Sequence, residues 1–376
     1  MKQQKLFIEA DSITYEHMSG IGHSTLEIIR QFDKVAGQDL QVTIIVPYGK
    51  KKSIKKYKFK NSRVRSLPIG QRYINYLLTR TSFPLPIDLL FGQGIYIFPN
   101  YKNWPLAFSK SITFVHDVTF KQHPETLNPK NLVYLEANFE RWLARTDSII
   151  SISESSAAEL RHHFPNYASK VSVVYLGVDP SMYHQRSKQE IDKVCAEYGL
   201  PLDYFLCVGN IEPRKNIARL LDAYKIYCDT SKSPKALVII GGDGWKNESI
   251  LQTIKHLQAL KYRIIQPKAY VADEDLPTLY SGAKALIHIA IHEGFGLPPV
   301  QAQACGTFTI VSDLPVMKEV VNPKSAIFVN PYDINDIASA MGQVPVTQPK
   351  QTTPLLTWKN TMLGIRKIID KMVTQR

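Results

Sequence analysis

The stretch Glu293-Gly-Phe-Gly-Leu-Pro-Pro299 sets a carboxylate and two glycines between an apolar run, Ala285 to Ile291, and two prolines. Proline suits the first turn of a helix, where its missing N–H has no intrahelical partner to lose. A strand, a glycine loop and a helix N-terminus can together hold a phosphate, because free N–H groups and the helix dipole both point at the anion. An ordinary βα turn with a capping acid would look the same, so this loop alone leaves both readings open. A second turn, Gly209-Asn-Ile-Glu-Pro-Arg-Lys-Asn216, follows the apolar run Tyr204 to Val208. Adjacent cations at a helix start oppose the dipole and suit an anionic ligand. Arg214 offers a planar fork for phosphate oxygens and Lys215 a mobile point charge. Donors converging from two βα turns suit a diphosphate.

Other residues carry weaker signals. Gly241-Gly-Asp-Gly-Trp245 reads first as a plain turn, and Ser19-Gly-Ile-Gly22 opens an amphipathic helix. His116-Asp117 ends the run Ser111 to Val115, at the strand end where open α/β sheets bind ligands. Such a histidine either positions a ligand or satisfies the core. His162 and His163 are helical neighbours expected to face apart, and His288 reads as a hydrogen-bonded core residue. Cys195, Cys207, Cys228 and Cys305 lack metal-ligand spacing, so no zinc site is expected. A nicotinamide fingerprint, a nucleophile elbow and a P-loop lysine are all missing from the sequence.

Two domains must position these turns, since 376 residues exceed one ordinary core. Short apolar runs alternate with amphipathic helices from Leu6 to Tyr175 and again from Tyr204 onward, the pattern of doubly wound α/β domains. The reading divides the chain into residues 1–183, 184–354 and a final helix in 355–376. Gln185 to Lys193 reads as an irregular charged transition, and 344–354 as a Pro/Thr/Gln linker. The last helix, with Trp358, Met362, Ile365 and Ile369, arrives after the second domain is complete and is expected to pack on the first. No apolar run approaches the roughly 20 residues that span a bilayer, and the N-terminus lacks a signal peptide's apolar stretch. A cytoplasmic protein is expected.

The net charge of +13 is concentrated in one segment. Between Asp39 and Asp88 no acid interrupts Lys50, Lys51, Lys52, Lys55, Lys56, Lys58, Lys60, Arg63, Arg65, Arg72 and Arg80. Tyr57, Phe59, Tyr73 and Tyr76 are interleaved with them. An anionic membrane would attract such a patch by about 1 kcal/mol per basic residue near the lipid. Nucleic acid would attract it too, though no nucleic-acid-reading motif accompanies it. A solvated loop that keeps the protein soluble is the third reading.

In order along the chain, SGIGHST, HDV (116–118), SISESSAAEL, VVYLGVD, VGNIEPRKN, GGDGW, YVADEDLPTLYSGA, EGFGLPP and LTWKN resemble the retaining GT-B enzymes of glycosyltransferase family 4. The EPRKN turn is most similar to a mannosyltransferase-like branch. The resemblance implies an α/β GT-B architecture: two Rossmann-like domains, an interdomain cleft and a last helix crossing back to the first. It implies hexose transfer from a nucleotide-sugar donor, of GDP-mannose or UDP-hexose type, to a glycan or lipid-linked acceptor in cell-surface polysaccharide or glycoconjugate synthesis. The basic, aromatic segment adds the expectation of a peripheral place on the inner face of the membrane. Neither a metal nor a cofactor is implied. Arg214 and Lys215 would bind the diphosphate and stabilise the leaving group. Glu293 would contact the donor sugar with Gly294, Phe295, Gly296 and Leu297, and His116 would contact the transferred sugar. Gly20, Gly22, Asn210, Gly242 and Tyr270 are implied in donor binding. The first domain would take the acceptor, aided by Lys50 to Lys58 and Tyr57. Two positions depart from the family: Gln301 stands where relatives carry a ribose-binding Glu, and Asn210 where many carry Arg. Gln301 leaves a non-catalytic partner subunit as the alternative.

Overall fold

The computed structural model describes residues 3–37, 39–68, 70, 86–348 and 356–374. Contacts divide the chain into two units. The first holds residues 1–118, 134–177 and 358–376, and the second 119–133 and 178–357. The sequence reading drew the first domain as 1–183, yet 119–133 goes with the second unit. That segment is tied there by Trp245 Nε1 donating to the Thr126 carbonyl at 2.6 Å and Lys246 Nζ to the Glu125 carbonyl at 2.8 Å.

Among the described residues the first unit has a seven-stranded sheet in the order β3-β2-β1-β4-β5-β6-β7. Its strands are β1 (Gln4–Glu9), β2 (Leu40–Val46), β3 (Arg63–Ser66), β4 (Ile95–Phe98), β5 (Lys110–Val115), β6 (Ser148–Ser151) and β7 (Val171–Val173). The second unit has six, in the order β10-β9-β8-β11-β12-β13. These are β8 (Tyr204–Val208), β9 (Ala236–Ile240), β10 (Ile264–Ile265), β11 (Ala285–His288), β12 (Thr309–Ser312) and β13 (Ala326–Val329). Every ladder is parallel. Parallel sheets are covered on both faces, so central strands read as unbroken apolar runs rather than alternating ones. Ala236–Ile240 is buried at every position, and Phe205, Ile287 and Tyr224 form part of the core beside it.

The helix Trp358–Thr374 belongs to the first unit, as its late arrival suggested. It buries Trp358, Met362, Ile365 and Ile369, and Thr361 Oγ1 donates to the Tyr175 carbonyl at 2.8 Å. Arg366 adds an ion pair with Asp39. No described helix is long and apolar enough to cross a membrane.

Three local expectations need correction. The strand expected over Ala285 to Ile291 ends at His288. Beyond it the backbone turns to other partners: the Ile289 and Ala290 carbonyls accept from Asn216 Nδ2 and Ser312 Oγ, and Ile291 N–H donates to the Arg214 carbonyl. The transition expected to be irregular contains the helix Lys188–Glu197, started by a Ser187–Glu190 capping box. His162 and His163 do not face apart; their rings meet edge to face, with centroids 5.1 Å apart. Of the expected linker, 349–354 lies outside the described residues, as do Arg72, Tyr73, Tyr76 and Arg80 of the basic segment.

Candidate functional site

In the second sheet, strand order turns back between β8 and β11. Open parallel sheets bind ligands beyond the carboxyl ends of the strands at such a point. Arg214 and Lys215 lie there in the short turn Pro213–Lys215 after β8, and Glu293 lies just past β11. Strand order therefore brings together residues 78 positions apart in sequence.

Three nitrogens surround one oxygen. Glu293 Oε1 lies 2.5 Å from Lys215 Nζ, 3.0 Å from Arg214 Nη1 and 3.2 Å from His288 Nε2, the last out of hydrogen-bond alignment. Arg214 also pairs with Glu212 Oε1 at 2.9 Å and donates to the His292 carbonyl at 2.9 Å. The four charged side chains are between 4% and 19% exposed, so solvent screens them little. Burial alone would raise the pKa of Glu293. The charges of Arg214 and Lys215, with a contribution from His288, instead hold it well below the usual carboxylate range. Burial pushes the His288 imidazole down, helped by Lys215 and Arg214 and opposed by Glu293. At neutral pH His288 is therefore uncharged. Two carboxylates then balance two cations.

Backbone features fix this geometry. Asn216 is left-handed, with φ 60°, a conformation Asn tolerates better than most residues. Its buried carboxamide donates to the Ile289 carbonyl at 3.1 Å and the Pro331 carbonyl at 2.6 Å, fastening the cationic turn to the β11 side. A Cβ on Gly241 would collide with the Gly209 carbonyl oxygen, so the turns after β8 and β9 pack this closely only with glycine. Asn210 and Gly242 stand exposed on those two turns, and the Ile211 N–H donates to the Gly242 carbonyl at 3.0 Å. Gly296, φ 88°, precedes the helix Leu297–Ala304, which carries proline in its first turn as expected. Gly294 and Phe295 are buried in the loop between, Leu297 is half-buried, and Gln301 Oε1 accepts from the Tyr280 hydroxyl at 3.3 Å. Tyr270 is 60% exposed.

The remaining expected residues lie in the first unit. His116 follows β5 and is buried, with Nε2 2.7 Å from the Pro99 carbonyl oxygen. Burial pushes its imidazole down, opposed by that hydrogen bond. Gly20 starts the helix Gly20–Val35, with Ser19 as its cap. A Cβ on Gly22 would lie 2.7 Å from the Ser12 carbonyl oxygen, which gives this glycine a packing reason. Lys50, Lys51, Lys52, Lys55, Lys56 and Lys58 are exposed on two short turns. Those turns are held by buried Ile54 and by the Tyr57 hydroxyl, which donates to the Ile13 carbonyl at 3.2 Å.

Sequence reasoning missed four contributors. Glu212 and Asn216 were visible only as letters of a motif. His288 lies within an apolar run that gave no sign of its neighbour. His292 is buried beside Glu293, with Nδ1 2.8 Å from Thr119 Oγ1 of the 119–133 segment. Its adjacency to Glu293 was the available signal.

Two doubly wound parallel-sheet units define the GT-B class of glycosyltransferase architecture. The "Glycosyltransferase Family 4" model matches residues 18–182 and the "Glycosyl transferases group 1" model residues 197–351. The chain belongs to this two-domain glycosyltransferase family. It is 31% identical over 247 residues to O-antigen chain mannosyltransferase B of Escherichia coli, covering 65% of this chain and 63% of that protein. It is 29% identical over 285 residues to O-antigen chain mannosyltransferase RfbU of Salmonella typhimurium, covering 76% and 72%. The structure of Anabaena Alr3699/HepE in complex with UDP and glucose matches with TM-score 0.68 and 14% identity over 99% of both chains, a likeness of fold.

Proposed function

We propose that the protein is a retaining hexosyltransferase, most suited to mannose, acting in cell-surface polysaccharide synthesis. The observation that carries this reading is the convergence of Arg214, Lys215 and Glu293 at the second unit's switch point. A sugar's diphosphate leaving group gains negative charge as its bond to the anomeric carbon breaks. Cations already held in place stabilise that charge without reorganising. Arg214 and Lys215 supply them, so no metal is required by this reading. The donor's phosphates compete with Glu293 for both cations, and the displaced carboxylate is then available to accept hydrogen bonds from sugar hydroxyls. The amides of the Glu293–Gly296 loop and the helix start beyond it face the same donor. Gln301 offers the ribose one acceptor oxygen, as Glu would, but without charge.

The acceptor is read as a glycan or lipid-linked sugar. The exposed lysines from Lys50 to Lys58, fixed by Ile54 and Tyr57, make a basic surface suited to an anionic membrane. Transfer assays with GDP-, UDP- and ADP-hexoses, with and without EDTA, test the activity, and product anomer NMR tests retention. Full turnover in Lys215→Ala would sink the assignment. Flotation with anionic liposomes tests the membrane claim, which fails if Gln replacements at Lys50 to Lys58 leave binding unchanged. A non-catalytic partner subunit is the second reading, favoured by Gln301. It requires that the wild type transfer nothing and that Gln301→Glu restore nucleotide binding.

A further inference from the structure

The cations of the second unit sit on its middle turn. Strand order β9-β8-β11 puts the turn after β8, which carries Arg214 and Lys215, between the turn after β9 and the loop after β11. Neighbouring strands lie about 4.8 Å apart, so those two outer walls stand roughly 10 Å from each other. Residues 119–126 bridge them. The chain leaves β5, passes His116 and joins the second unit at Thr119. There it forms the short helix Thr119–Gln122 and the turn Pro124–Thr126.

Each end of this segment is fastened to a different wall. At the β11 side, buried Thr119 Oγ1 lies 2.8 Å from Nδ1 of buried His292, and the His123 ring packs on the same imidazole with centroids 5.6 Å apart. At the β9 side, Trp245 Nε1 and Lys246 Nζ donate to the Thr126 and Glu125 carbonyls. The middle turn is bonded to both walls. Gly244 N–H donates to the Ile211 carbonyl at 3.2 Å on one side, and Arg214 Nη1 to the His292 carbonyl at 2.9 Å on the other. His292 therefore joins the segment to the guanidinium: its ring takes Thr119 and its carbonyl takes Arg214. An arginine fork matches two anionic oxygens only in a fixed plane. Glu212 holds Nη2, and Glu293 shares Nη1 with the His292 carbonyl. When an anionic ligand takes the place of Glu293, that carbonyl still holds Nη1.

We propose that residues 119–126 act as a strap that positions Arg214 through His292, with Thr119 and Trp245 as its two fastenings. That the positioned group serves a diphosphate rests on the transferase reading, whereas the coupling of Thr119 to Arg214 does not. Two experiments on the full chain keep these apart. The first is a double-mutant cycle of Thr119→Val and Arg214→Ala, read from the second unit's melting transition without ligand. Thr119→Val keeps the side chain's shape and removes its hydroxyl. It lowers the transition in the wild-type background and by less than half as much in Arg214→Ala, because the contact it disturbs is already gone. The second is titration with inorganic pyrophosphate. Thr119→Val and Trp245→Phe each weaken binding about fivefold, the worth of one net hydrogen bond, while Thr119→Ser, which keeps the hydroxyl, stays within about twofold of the wild type. In the Arg214→Ala background Thr119→Val changes the affinity no further. The strap is overturned by additive melting losses, by a Thr119→Val chain that binds pyrophosphate as tightly as a wild type that binds it, or by a loss that Thr119→Ser shares. A coupled cycle in a chain that never binds pyrophosphate supports the strap and counts against the transferase reading. Tight pyrophosphate binding with an additive cycle does the opposite.

Discussion

Replacing Glu293 by Gln keeps the side chain's shape and removes one charge. In the wild type, Glu212 and Glu293 balance Arg214 and Lys215, and the variant leaves one positive charge uncompensated in a site at most 19% exposed. Breaking a buried ion pair from one side costs about 3–5 kcal/mol, and the retained Glu212 contact places this case near the lower figure. At roughly 2–4 °C per kcal/mol for a unit of this size, the second unit's melting transition falls by about 6–12 °C. Inorganic pyrophosphate supplies the missing negative charge. It should restore most of the loss and bind the variant more tightly than the wild type, where it must displace Glu293. On the proposed reading transfer should nonetheless fall on the order of a hundredfold, because the carboxylate assigned to the sugar hydroxyls is gone. Differential scanning calorimetry with and without pyrophosphate, beside a transfer assay, reads all three effects. A variant melting within about 2 °C of the wild type, with no added response to pyrophosphate, would refute the charge balance described.

Further tests separate the units. Ile365→Ala opens a hole in a fully buried position of the C-terminal helix and should cost about 2–5 kcal/mol in the first unit's transition, leaving the second unmoved in calorimetry. Gly241→Ala should force apart the turns after β8 and β9 and weaken pyrophosphate binding at least tenfold by titration, while a wild-type affinity would show that the close approach does not position Arg214 and Lys215. The pH dependence should have opposite signs in the two units. The depressed Glu293 contributes stability that is present above its unfolded value near 4.5 and is lost as pH falls through its folded value, so the second unit weakens only in acid. Glu9, raised to about 7 by burial and the Asp11 charge, contributes stability that is full below about 4.5 and is lost as pH rises through 7. Melting curves from pH 3 to 8 should therefore lose the acid slope in Glu293→Gln and the neutral slope in Glu9→Gln.

The residues that make each turn could be read directly, because those choices are local. Gly296 with Pro298 and Pro299 announced a helix start after a tight loop, and the structure has that helix beginning at Leu297. Unbroken apolar runs announced buried parallel strands, and Trp358 to Ile369 announced a helix with one face to bury. The family resemblance assigned Arg214 and Lys215 to the diphosphate and Glu293 to the sugar of one donor. Nothing local could say that they share one oxygen, since that depends on β11 lying beside β8 rather than after β10. The same strand order drew His288 from the core reading into the charged cluster and put Asn216 to work as a fastener. In the first unit, nothing in the sequence singled out Glu9 and Asp11. They became an acid pair in a cavity because β4 returns beside β1 and brings Lys102 and Trp104 with it. Sequence set the chemistry available to each loop; the order of the strands decided which loops meet.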